Sequence, residues 1–146
     1  MRVIGFNFNK ISAEKNSEDM GNLGVNSNIH IDSIERVKNE ILKEGEALTV
    51  KFDYSIDYSP NVGKISFEGS ILFLVGKKEA EKIISQWNDD KIINEELRPI
   101  LFNFIFGRSN IKALELEQEL NLPFHIPMPQ ITKDSLSPDK DAKKKK

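Results

Sequence analysis

Residues 48–58 read Leu-Thr-Val-Lys-Phe-Asp-Tyr-Ser-Ile-Asp-Tyr. Leu48, Val50, Phe52, Tyr54, Ile56 and Tyr58 alternate without a break with Thr49, Lys51, Asp53, Ser55 and Asp57. Successive side chains of an extended chain leave on opposite sides, so this pattern specifies a strand with one buried face and one wet face. The branched and aromatic residues on the apolar face suit a pleated surface. Ser59-Pro60-Asn61-Val62-Gly63 then carries turn chemistry: Pro presets φ, and Asn and Gly tolerate positive φ. A second alternation follows through Ile65, Phe67, Gly69, Ile71, Phe73 and Val75, and residues 71–75 are apolar on both faces. The two runs form an antiparallel hairpin. The doubly apolar end, 71–75, is expected to sit inside a sheet or against a partner.

The upstream region reads as two more strands. Residues 3–15 alternate, with Ile4, Phe6 and Phe8 on one side and Asn7 and Asn9 on the other. This opening has no cleavage signature and reads as a strand, not a signal peptide. Residues 17–24 are polar, contain Gly21 and Gly24, and read as a loop. Residues 25–41 alternate through Val25, Ile29, Ile31, Val37 and Ile41, but Ile34 falls on the wrong parity. That break predicts a long strand that is bent or bulged. Residues 40–46 also fit a helical turn, and Gly45 marks a turn before the strong strand.

Helices follow. Ala80, Ile83, Ile84 and Trp87 recur at helical spacing over 77–88. Asn94 is placed to cap a second helix, with Glu95 and Glu96 in its first turn complementing the helix dipole. That helix runs to about Leu120. Pro99 sits in its opening turns, where a missing N–H costs least, and Pro123 ends it. Pro127 and Pro129 make 124–131 an extended segment unsuited to a central strand. Residues 133–146 hold six lysines against three aspartates, and 132–146 reads as a disordered charged tail beyond a single domain over 1–131.

Composition removes several functions. The chain has no cysteine and only two histidines, His30 and His125, which excludes thiolate or histidine-rich metal sites and a cysteine nucleophile. No phosphate-cradling glycine loop, metalloprotease His pair or nucleophile elbow occurs. Each histidine reads as an ordinary polar residue, and no catalytic residue, metal or cofactor is expected. The formal net charge is −2, and the lysine-rich end leaves the body of the chain acidic, so no nucleic-acid face is indicated. The longest apolar run, 71–75, is far below the roughly 20 residues that span a bilayer. These features read as a soluble cytoplasmic protein.

The anomaly is Ile100-Leu-Phe-Asn-Phe-Ile-Phe106. At about 100° per residue, Leu97, Ile100 and Phe104 fall on one side of the helix. Phe102, Phe106 and Ala113 fall nearly opposite, with Leu101 and Ile105 between them. This apolar arc is wider than a helix lying on one sheet needs, so a second apolar surface must meet it. A subunit interface, a groove for apolar ligands, and cover by the first helix and residues 124–128 all satisfy that demand. Met128, between two prolines, is a flexible apolar tip on a constrained backbone and suits an adaptable contact.

The opening Phe6-Asn-Phe-Asn-Lys-Ile-Ser, the bent second strand, and the hairpin ending Gly69-Ser-Ile-Leu-Phe-Leu-Val-Gly76 resemble the SecB-like export chaperones. So does Leu101-Phe-Asn-Phe followed by Leu122-Pro-Phe-His-Ile-Pro-Met-Pro. Asn103 and Phe104 stand where that family usually has Pro-Tyr, and the lysine-rich end differs from its acidic tail. The resemblance implies an α+β fold: a four-stranded antiparallel sheet with two helices packed on one face. It implies a homotetramer built as a dimer of dimers that holds non-native polypeptides in apolar surface grooves without ATP, with no membrane insertion. Such chaperones serve export or toxin–antitoxin pairs, so a dedicated partner-binding module is the alternative. On the pattern of apolar residues, the expected polypeptide-binding side chains are Ile34, Val37, Phe102, Phe106, Phe124, Ile126 and Met128.

Overall fold

The computed structural model describes residues 1–37 and 45–129. Four strands precede two helices: β1 (Arg2–Lys15), β2 (Gly24–Arg36), β3 (Glu46–Ser59), β4 (Gly63–Val75), α1 (Lys77–Asp90) and α2 (Leu97–Leu120). The sheet order is β1-β4-β3-β2, and every neighbouring pair is antiparallel. The hairpin read from 48–75 is therefore the centre of the sheet, which explains why β3 and β4 are its most apolar strands. Asn61 takes φ 123° in the connecting turn, the positive-φ role expected there. The expected helical turn over 40–46, the strand end near Ile41, residues 130–131 and the charged tail lie wholly or largely outside the described residues.

Bulges decide which side chains face inward. Ile31 pairs with Phe52 and Ser33 with Lys51, so Asp32 is an extra residue in β2. The insertion flips the parity and turns Ile34 inward opposite Val50, at 2% exposure. This is the break that Ile34 announced in the sequence. β1 carries similar shifts at Ile4 and Asn9. On the helix-covered face β1 therefore places Val3, Phe6, Phe8, Ile11 and Ala13, opposite Phe73, Ile71, Gly69, Phe67 and Ile65; Ile11 shares that face but stays 42% exposed at the sheet edge, while the other four pack on the core. Counting by twos put Ile4 with Phe6 and Phe8; the bulge instead leaves Ile4 43% exposed. Gly69 fits this crowded row because a Cβ there would meet the Asn7 carbonyl oxygen at 2.5 Å and the Phe52 ring at 2.9 Å.

Both helices pack on one face of this sheet, and their buried residues join the strands in one core cluster. The opposite face carries Lys51, Asp53, Asp57, Lys64 and Glu68 and is wet. α1 contributes Ala80, Ile83 and Trp87 to the core. The Asn94 side chain accepts from the N–H groups of Glu96 and Leu97 at 2.9 and 3.3 Å, the capping role read from the sequence, ahead of a helix that begins at Leu97. At the other end Asn121 takes the left-handed conformation, and the Leu122 N–H donates to the Glu117 carbonyl at 2.9 Å. This closure turns the chain back along α2.

Candidate functional site

The buried residues of α2 are Leu97, Leu101, Ile105, Ser109, Ala113 and Glu117. They recur every four residues, and each step overshoots a full turn by about 40°. The buried row therefore winds slowly around the helix and leaves apolar side chains on both flanks. One flank carries Phe102 and Phe106; the other carries Ile100, Phe104 and Ile111. Phe106 and Ile100 are each 37% exposed and Ile111 is 64% exposed. The surplus read from the sequence is thus on the surface of the isolated chain.

On the first flank an open pocket of about 480 Å³ lies between β2, the end of α1 and α2. Ile29, Ile31, Trp87, Ile93 and Phe102 line it, with His30, Asp32 and Lys91 at its polar parts. Lys91, in the left-handed conformation that closes α1, holds its ammonium 5.0 Å from the Trp87 ring centre. Phe106 continues the aromatic surface, 6.3 Å from Phe102 and edge-on to Tyr54 at 5.8 Å. On the second flank Phe104 packs 5.5 Å from Phe6 of β1, and the Arg108 guanidinium lies over both rings. A hollow of about 410 Å³ there is bounded by Phe6, Phe8, Arg108 and Ile111.

Beyond Phe106 a buried polar cluster ties α2 to the segment that follows it. Glu117 is wholly buried, yet its carboxylate is well supplied with donors. The Tyr58 hydroxyl donates to Oε2, and the His125 main-chain N–H donates to the same oxygen at 3.0 Å. His125 Nδ1 lies 2.9 Å from Oε1. His125 Nε2 lies 2.8 Å from Asn110 Oδ1, which also accepts from the Tyr54 hydroxyl at 3.0 Å. The side chains of His125 and Glu117 are 2% and 0% exposed. Burial pushes the Tyr58 phenol far above its ordinary pKa of 10.0, reinforced by the Glu117 carboxylate beside it. Burial likewise raises that of Tyr54. Both phenols therefore stay protonated and available as donors at neutral pH. Ser109 Oγ is buried with no hydrogen-bond partner among the described residues.

Two of the seven expected binding residues, Phe102 and Phe106, come together beside the pocket. Phe124, Ile126 and Met128 lie on the segment that His125 pins to α2; Phe124 and Met128 are 44% and 43% exposed. Val37 is half-buried at the end of β2, its N–H bonded to the Ala47 carbonyl at 2.9 Å. Ile34 is a correction: the Asp32 bulge turns it into the core, and it offers no surface to a ligand. Sequence reasoning missed Ile29 and Trp87, read only as inward residues of a strand and a helix, and Ile93, which it did not single out. It also missed the polar cluster. The available signal was an acidic residue, Glu117, on the same row as Leu97, Leu101 and Ile105. Among the described residues no group of three or more His, Cys, Asp or Glu side chains converges to hold a metal. Among them, too, no helix is long and apolar enough to cross a membrane.

The sheet order, the two helices on one face and the extended segment returning along α2 define the SecB-like α+β fold. Among solved structures the chain is similar to the SecB-like chaperone Rv1957 of Mycobacterium tuberculosis, solved in complex with a ChAD peptide from the HigA1 antitoxin. The two share 11% identity at a TM-score of 0.59, over 90% of this chain and 89% of that one. No protein-family model and no curated protein sequence matches the chain.

Proposed function

We propose that this protein is an ATP-independent holdase that binds non-native polypeptides along the groove between β2 and α2. The observation that carries this reading is the open apolar pocket that Ile29, Ile93 and Phe102 form over the core residues Ile31 and Trp87, extended by the exposed ring of Phe106. Each client side chain fully buried there contributes about 1.5–3 kcal/mol, so a few pockets give affinity without sequence specificity or bond chemistry. Of the sequence-expected set, Phe102, Phe106, Phe124, Ile126 and Met128 are proposed contacts, with Val37 at the margin.

The second flank supports the homotetramer. β1 is an edge strand of the sheet, and the hollow beside it exposes Ile111 next to Phe6 and Phe8. A sister subunit covering that flank, in a dimer of dimers, leaves the first flank free for clients. We place the protein in the cytoplasm, without membrane insertion or nucleic-acid binding, and with a role in export as one use of the same activity. The antitoxin peptide held by the similar structure favours a second reading, in which one dedicated partner occupies the groove.

Suppression of aggregation of a denatured client at stoichiometric amounts, without nucleotide, tests the proposal. A protein no better than an inert control refutes it. Phe102→Ser with Phe106→Ser should weaken suppression while the mass by light scattering stays tetrameric; loss of the tetramer would assign these residues to the interface. Pull-down from cell extract separates the readings: a broad set of captured chains favours the holdase, and one stoichiometric partner favours the dedicated module.

A further inference from the structure

Phe102, Phe106 and Asn110 form an i, i+4 row on α2, beside the buried row. The first two are apolar and flank the groove. The third is a polar joint: its Oδ1 meets both the Tyr54 hydroxyl at 3.0 Å and His125 Nε2 at 2.8 Å. Tyr54 packs its ring edge-on to Phe106, so the residue that flanks the groove also holds the joint. His125 is anchored three times, by its ring to Asn110 and by its ring and main-chain N–H to Glu117. Because His125 points inward, its neighbours Phe124 and Ile126 leave the segment in other directions, and Phe124 stands 44% exposed. A buried carboxylate, an imidazole and two phenols are a costly way to fix a surface segment, since each must be desolvated. Apolar packing would fix it without that cost. What the polar groups add is one fixed geometry.

We propose that the Glu117–His125–Asn110 network is a positioning latch that sets the segment after α2 as a second binding wall, making the site selective for polypeptides long enough to reach it. The proposal rests on the groove reading above and names its ligand class: extended chains carrying two apolar clusters. Asn110 lies eight residues beyond Phe102, about 12 Å along the helix axis. About four residues of extended chain cover that distance. A peptide of about two residues spans about 7 Å and therefore occupies the Trp87 pocket alone, while one of about ten residues with a second Phe reaches Phe124 and Met128.

The test uses two synthetic peptides, a short one with one Phe and a long one carrying the same cluster and a second Phe. Trp87 is the sole tryptophan and lines the pocket, so its fluorescence reports occupancy for both. The intact protein should bind the long peptide about tenfold more tightly than the short one, the increment of one further buried apolar side chain. Asn110→Ala and His125→Ala should abolish that difference and leave short-peptide affinity unchanged. Variants that keep the length preference overturn the proposal. So do variants that lose both affinities together, which assigns the network to general stability. Hydrogen exchange at the His125 amide gives a readout free of peptides: Glu117→Gln should accelerate it, and unchanged exchange overturns the latch. If the intact protein binds neither peptide while Glu117→Gln accelerates exchange, the groove reading fails and the segment is positioned for something else.

Discussion

Replacing His125 by Leu measures how much the fold depends on its buried polar cluster. The side chain of His125 is 2% exposed and its partner Glu117 is fully enclosed. Leu fills a similar volume, so the change is electrostatic more than steric. It leaves the Glu117 carboxylate buried with two donors, the Tyr58 hydroxyl and the residue 125 N–H, and removes the ring that faces Oε1. Breaking a buried pair by deleting one partner costs about 3–5 kcal/mol. Removing both partners for well-packed apolar residues is often close to neutral. The expected results are therefore a loss of about 3–5 kcal/mol for His125→Leu and a much smaller loss for Glu117→Leu with His125→Leu. For a chain of this length the single change lowers Tm by about 10 °C. Urea unfolding followed by circular dichroism, at one protein concentration throughout so that association of any kind affects every variant alike, supplies all corners of the cycle. A single variant within about 1 kcal/mol of the parent, or a double variant as unstable as the sum of the singles, would refute the reasoning.

Three further outcomes follow from particular residues. The raised phenol pKa of Tyr58, and that of Tyr54, means the folded state holds these protons more tightly than the unfolded chain does. Stability is then complete below pH 10 and falls above it by up to about 1.4 kcal/mol per pH unit for each phenol; alkaline unfolding curves should flatten in Tyr58→Phe. Ile34→Ala should cost about 2–4 kcal/mol of stability and leave client affinity intact, whereas Phe106→Ala should do the reverse; equal effects on binding would contradict the placement of the two residues. Deleting Asp32 should leave a folded protein with near-parental thermal unfolding, because Ile31 and Ser33 already pair with consecutive residues of β3. Collapse of that variant would show that the bulge itself is required.

The central hairpin was readable because β3 and β4 alternate without interruption, and nothing but extended structure explains six inward residues at a period of two. β2 was readable for a less direct reason: one misplaced isoleucine implied one extra residue. β1 was misread at Ile4 because two bulges divide it into short runs. The spacing Val3, Phe6, Phe8, Ile11, Ala13 carries the information only once bulges are allowed. The site was partly readable. The width of the apolar arc pointed to Phe102 and Phe106, since a helix covered on one side has no use for aromatics on the other. The pocket itself was not readable, because Ile29, Trp87 and Ile93 come from separate elements and each is unremarkable alone. The cluster around Glu117 was hidden for a physical reason. A glutamate in a charged helix looks solvated, and its hydroxyl partner Tyr58 lies 59 residues away in the chain.

The winding buried row of α2 separates two kinds of heredity on one rod. Positions four apart hold the domain together and are closed to change, while the neighbouring rows answer only to whatever touches them. Phe102, Phe106 or Ile111 can be exchanged, and what this surface meets can change with them, without altering how the domain is assembled.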